Sequence, residues 1–155
     1  ASVLLVLGVI AVGYAAESNV PSQVTVNSFA SVTITPCAGT LSFGSGNPGA
    51  VDLPVACQNA TAGAAAVKNE LISNQNITVD TKGTNFTVGG NTITVNKLEF
   101  DESNAKPTPT TLSEIYQPTS SNVAPGNTVG IWYWLDIPAS QTAGIYSGTL
   151  SARGQ

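Results

Sequence analysis

The sequence predicts a mainly β protein: an antiparallel, Ig-like β-sandwich head at residues 21–155, with a hydrophobic α-helical tail at residues 1–20. Three observations carry this. Past Pro21, apolar and hydroxyl residues alternate with a period of two, the pattern of half-buried strands. Turn residues interrupt that alternation often, and some eight short strands spaced this way suit a sandwich. Residues 3–16 hold only apolar residues, Gly and Tyr, and no charge appears before Glu17.

The tail reads Ala-Ser-Val-Leu-Leu-Val-Leu-Gly-Val-Ile-Ala-Val-Gly-Tyr-Ala-Ala. As a helix, 14 such residues span about 21 Å, short of the roughly 20 residues of a comfortable membrane span. Leu4, Leu5, Leu7 and Ala11 favour helix, whereas Val3, Val6, Val9, Ile10 and Val12 tolerate either state. A strand facing one core should alternate, and this segment is apolar on every side, which fits a helix buried among others. A secretory signal peptide ending near Gly13-Tyr14-Ala15, and an apolar strand donated to a neighbouring subunit, are the competing readings. The expected polymerisation surface is Val3, Leu4, Leu5, Val6, Leu7, Val9, Ile10, Val12 and Tyr14.

Pro21 ends the tail by removing an amide donor and disfavouring helix at Val20. Strands are expected at residues 23–27, 31–35, 40–43, 51–55, 77–81, 85–88, 92–100, 128–137 and 145–152. Gly89-Gly90 is a two-residue hairpin signal, and residues 44–49 form a turn. Residues 106–109 and 117–127, rich in Pro, Ser, Thr and Asn, read as loops. Ala-rich residues 60–71 are interrupted by Gly63 and read as a loop running into a strand rather than a helix.

Composition narrows the chemistry. Charged residues make up 9% of the chain, so 18 Thr, 15 Ser and 13 Asn must supply the polar surface. Five basic residues and a net charge of −4 lack the electrostatic footprint of a nucleic-acid partner. With no His, the usual triads, imidazole acid–base catalysis and His metal sites are excluded. No Lys is placed to activate a Ser, and no enzymatic activity or cofactor is expected. The acidic run Glu99-Phe100-Asp101-Glu102 lacks calcium-loop spacing and reads as a solvated strand end.

Cys37 and Cys57, 20 positions apart, form one disulfide in an oxidising compartment, or two buried thiols otherwise. Three Asn-X-Ser/Thr sequons, at Asn59, Asn76 and Asn85, are candidate N-glycosylation sites that would solubilise a surface poor in charge. Trp132 and Trp134 share one face of a strand, with Ile131, Tyr133 and Leu135 on the other. They read as a central strand buried on both faces, with a glycan-binding aromatic pair as the alternative.

A hydrophobic N-terminus with no leader before it, joined to a Ser/Thr/Asn-rich β domain with sequons, resembles a mature archaeal type IV pilin. Residue 5 is Leu5, where bacterial members carry Glu. The resemblance implies an extracellular pilus subunit that sits in the membrane before assembly. Such a subunit then polymerises with copies of itself through its tail and displays N-linked glycans on its head. The stretch Trp134-Leu135-Asp136-Ile137-Pro138, with Ala143-Gly144-Ile145-Tyr146-Ser147-Gly148-Thr149-Leu150, resembles the last strand pair of secreted prokaryotic β-sandwiches. It also resembles donor-strand filament subunits such as archaeal threads and bundling pili, which implies a donor-strand fibre as the second reading. A membrane-anchored module reading glycans through Trp132 and Trp134 is the third.

Overall fold

The computed structural model describes residues 23–155. Eleven strands follow in chain order: β1 (Val32–Pro36), β2 (Leu53–Pro54), β3 (Ala65–Asn69), β4 (Ile77–Gly83), β5 (Phe86–Val88), β6 (Asn91–Ile93), β7 (Leu98–Asp101), β8 (Thr110–Thr111), β9 (Gln117–Val123), β10 (Thr128–Leu135) and β11 (Leu150–Gly154). Six of them form one sheet in the order β1-β3-β10-β7-β8, with β2 also paired to β10. A second sheet has the order β11-β4-β9, and β5-β6 is a separate hairpin. Every pairing is antiparallel. The result is a pair of sandwich-like sheets.

The core lies between the sheets. β10 contributes Ile131, Tyr133 and Leu135, β3 contributes Val67, and β7 contributes Leu98 and Phe100. Ile77 and Val79 of β4 meet them from the smaller sheet. Side-chain hydrogen bonds cross the sandwich, among them Asn69 Nδ2 of β3 to Val123 O of β9 and the bond between the Tyr133 hydroxyl of β10 and Thr81 Oγ1 of β4. Thr81 Oγ1 spends its own proton on Ser151 O at 3.0 Å, so Tyr133 is the donor. Burial pushes the Tyr133 phenol up to about 12, against a smaller downward pull from the bond to Thr81.

The fold class requires a correction. A β head was expected to carry an α-helical tail, but there is no α-helix among the described residues, only a single 3-10 turn at Val95–Lys97. The fold is therefore mainly β, without the expected helical component. Its composition explains this: Thr, Ser, Gly and Asn are abundant in the head, and its Ala-rich stretch at residues 60–71 is interrupted by Gly63 and runs into β3. The segment expected to be helical lies outside the described residues, as do Val3, Leu4, Leu5, Val6, Leu7, Val9, Ile10, Val12 and Tyr14.

Strand expectations fared unevenly. The Gly89-Gly90 hairpin is present, with both glycines at positive φ (49° and 89°), as a tight two-residue turn needs. Residues 92–100 are not one strand, because the 3-10 turn separates β6 from β7. Residues 117–127, expected as loop, supply β9. Its Pro118 is tolerated because β9 is an edge strand, and its register against β4 shifts twice. Residues 23–27 alternate as a strand should, yet pair with nothing among the described residues. Residues 40–43 are likewise outside any sheet.

Candidate functional site

β10 gives the head an axis with two poles. It begins at Thr128, opposite Lys68, and ends at Leu135, opposite Leu98 and Leu53. Its eight residues span about 23 Å at the usual rise of a strand. The chain enters at the first pole. There Asn74 clamps the incoming backbone: its Nδ2 donates to Asn27 O (2.9 Å), its Oδ1 accepts from Phe29 N (2.7 Å), and its own N–H reaches Phe29 O (3.0 Å). Ser73 Oγ accepts from Ser31 N, and Ser31 O accepts from Glu70 N, which carries the chain into β1.

Upstream of that clamp, Val24 and Val26 stand 85% and 76% exposed. Phe29, and Leu71 and Ile72 on the adjoining turn, are also exposed. A group of large apolar side chains at one pole of a domain is the kind of surface that marks an interaction site.

The opposite pole holds a groove of about 680 Å³. Its walls are residues 40–48 and 141–148, and its floor is made by the ends of β10 and the β5-β6 hairpin. Leu41, Phe43, Phe86, Ile93, Ile137 and Tyr146 give it an apolar lining. Phe43 and Phe86 meet edge to face, 6.0 Å between centroids. Tyr146 is held by its hydroxyl, which donates to Thr142 O (2.8 Å) and accepts from Gln141 Nε2 (2.6 Å). Along the first wall, neither the N–H nor the C=O of Leu41 or Phe43 has a hydrogen-bond partner among the described residues. Extended backbone with open donors and acceptors is what an added strand would pair with.

Trp132 and Trp134 form no platform for a sugar. They are 8% and 6% exposed, and neither lines the groove. Trp132 Nε1 donates to Asn59 O at 2.7 Å, which covers the outer face of β10 with the loop before β3. Lys106 Nζ sits 5.3 Å from the Trp134 ring centroid and pairs with Asp52 and Glu99. Burial pulls the Lys106 pKa down, but those two carboxylates outweigh it and hold it above the ordinary lysine value. Asp101 ties its own loop by accepting from Ser103 N and Thr108 N, both at 3.0 Å. No group of metal-ligating side chains occurs among the described residues.

Cys37 and Cys57 form a disulfide, with Cα atoms 5.8 Å apart, tying the end of β1 to the segment after β2. Of the three sequons, Asn59 and Asn76 are exposed and Asn85 is half-buried. Asn59 Oδ1 accepts from Thr61 N, Thr61 Oγ1 and Ala62 N, closing a tight turn with the amide nitrogen left over. Asn85 Oδ1 accepts from Val95 N at 2.8 Å. The polymerisation residues expected at 3–14 lie outside the described residues. Sequence reasoning missed the groove, because its four segments meet only in the fold. It also read 40–43 and 145–152 as strands, whereas 40–43 and 145–148 are groove walls and the strand begins only at Leu150.

Together these features define a disulfide-closed, all-β head with an apolar entry pole and an apolar groove at the far pole. The chain belongs to the family described as a domain of unknown function, DUF4402, whose profile matches residues 11–153. That match begins inside the hydrophobic tail. No curated protein and no solved structure matches the chain.

Proposed function

We propose that this protein is a structural subunit of an extracellular filament that polymerises through its apolar N-terminal segment. One observation carries the reading most: Val24 and Val26 alternate with polar residues on an exposed segment that joins no sheet among the described residues. Upstream of them the sequence turns wholly apolar from residue 3 to 16, and such a segment gains by leaving water in contact with other subunits. The resemblance of tail and head to archaeal type IV pilins supports the same reading. So do the disulfide and the surface sequons, which suit an oxidising, extracellular setting. The head would face outward, carrying glycans on Asn59, Asn76 and Asn85 where the host attaches them. Adhesion or motility would be a property of the polymer.

The test is electron microscopy of the full chain beside Leu7→Asp. A buried carboxylate in the tail should abolish filaments, while circular dichroism shows the head still folded. Filaments of normal yield from Leu7→Asp would refute tail-driven assembly. The glycan-binding reading through Trp132 and Trp134 gains no support from two indoles that are both buried.

A further inference from the structure

We infer that the N-terminal segment of one copy, led by Val24 and Val26, seats as an added strand in the apolar groove at the far pole of the next copy. The inference rests on the filament reading and names the surface that receives the segment. The donor end is at the entry pole, where the Asn74 clamp fixes the chain only from Asn27 onward. Residues 23–26 are therefore released next to a pole that already exposes Leu71 and Ile72. The acceptor lies at the other end of β10, about 23 Å away.

The two surfaces fit in kind. An alternating segment offers Val24 and Val26 on one side and Gln23, Thr25 and Asn27 on the other. The groove offers an apolar floor and, at Leu41 and Phe43, backbone donors and acceptors that have no partner among the described residues. Strand addition uses both: backbone bonds hold the segment, and pockets take alternate side chains. Ile145, exposed at the groove rim, would be covered by the incoming pole.

The polarity of the arrangement decides what is built. Donor and acceptor are different surfaces at opposite ends of one head, so the contact is head-to-tail. A head-to-tail contact whose rotation does not close gives an open polymer, not a dimer. The other possible occupant is the same chain's own N-terminus folded back. Twenty-two extended residues could reach about 70 Å, well beyond the roughly 23 Å that β10 spans between the poles, so the experiment must separate the two.

The full chain carrying Val24→p-benzoylphenylalanine is irradiated under assembly conditions, resolved on a denaturing gel, and its cross-linked peptides are mapped. The inference predicts a ladder of covalent multimers joined to residues 40–48 or 141–148. Val24 lies three residues from the clamp at Asn27, about 10 Å of chain, so fold-back is read with a second probe, Val12→p-benzoylphenylalanine. Cross-links from it to those residues within single chains would overturn the inference. Filaments whose cross-links map elsewhere would overturn the groove while leaving the filament reading intact. Groove cross-links confined to closed dimers would sustain the groove and refute the filament. Neither filaments nor multimers would refute both. Ile145→Asp offers a second route, since an exposed position should not disturb folding. Burying an aliphatic side chain is worth a factor of ten or more. The variant should thus raise the concentration needed for assembly at least about ten-fold, and unchanged assembly would overturn the inference.

Discussion

The hydroxyl of Tyr133 joins the two sheets, and removing it should have effects that separate cleanly by pH. At pH 7, Tyr133→Phe deletes one buried hydrogen bond. Thr81 keeps its own bond to Ser151 O, so no donor is orphaned, and the cost should be about 1 kcal/mol. Thr81→Val is worse, because it strands the Tyr133 hydroxyl in a position only 1% exposed. A buried donor without a partner costs about 2–3 kcal/mol. The double variant should then cost less than the sum of the two, by about 1 kcal/mol.

The phenol's raised pKa adds a second signature. The unfolded chain releases this proton near 10 and the folded chain near 12, so between those values the unfolded state binds fewer protons. The contribution of Tyr133 is thus fully present below pH 10 and is lost as pH rises toward 12, by about 3 kcal/mol in all. Lys106, also raised, adds an alkaline loss of the same sign that Tyr133→Phe retains. Urea unfolding of the two variants and the parent, at pH 7 and from pH 9 to 11.5, reads every one of these numbers. Equal costs for the two single variants, or an identical alkaline decline in Tyr133→Phe and the parent, would refute the reasoning.

Three other outcomes follow from the head. Reducing Cys37–Cys57, whose partners are 20 residues apart, should cost about 3 kcal/mol and lower Tm by about 10 °C, read by calorimetry with and without reductant; an unchanged Tm would contradict it. Gly63→Ala should destabilise the head by about 2 kcal/mol or more, because a Cβ there would lie 2.6 Å from Ile131 O and 2.7 Å from Ile131 N, in the middle of the central strand; a denaturation midpoint equal to the parent's would be the contrary result. Produced in a host with N-glycosylation, the protein should lose glycan mass with each of Asn59→Gln, Asn76→Gln and Asn85→Gln, least at the half-buried Asn85, and intact-mass spectrometry reads this directly.

Local chemistry made part of this molecule legible in its sequence. Gly89-Gly90 announced its hairpin because few other pairs take two positive φ values. The alternation around Ile131, Tyr133 and Leu135, with bulky Trp132 and Trp134 between, announced a strand covered on both faces. The cysteine pair announced its disulfide because nothing else in the chain competes for either thiol. What failed was whatever depends on having a neighbour. Residues 23–27 have the right period for a strand but no partner among the described residues, whereas polar residues 117–123 form β9 because β4 presents them with an edge. The groove was invisible for the same reason: Leu41, Phe86, Ile137 and Tyr146 are distant in sequence and converge only through sheet topology. Nor does any local pattern signal that Tyr133 would find Thr81 across the sandwich.

The central claim is that copies of this chain assemble head to tail through the N-terminal segment. Cryo-electron microscopy of the purified full chain, concentrated under oxidising conditions, tests it most directly. The account predicts polymers related by one repeated operation, with the entry pole that bears Val24, Val26 and Leu71 of each head against the groove between residues 40–48 and 141–148 of the next. Particles that remain single heads at every concentration, or that pair symmetrically and stop, would contradict it.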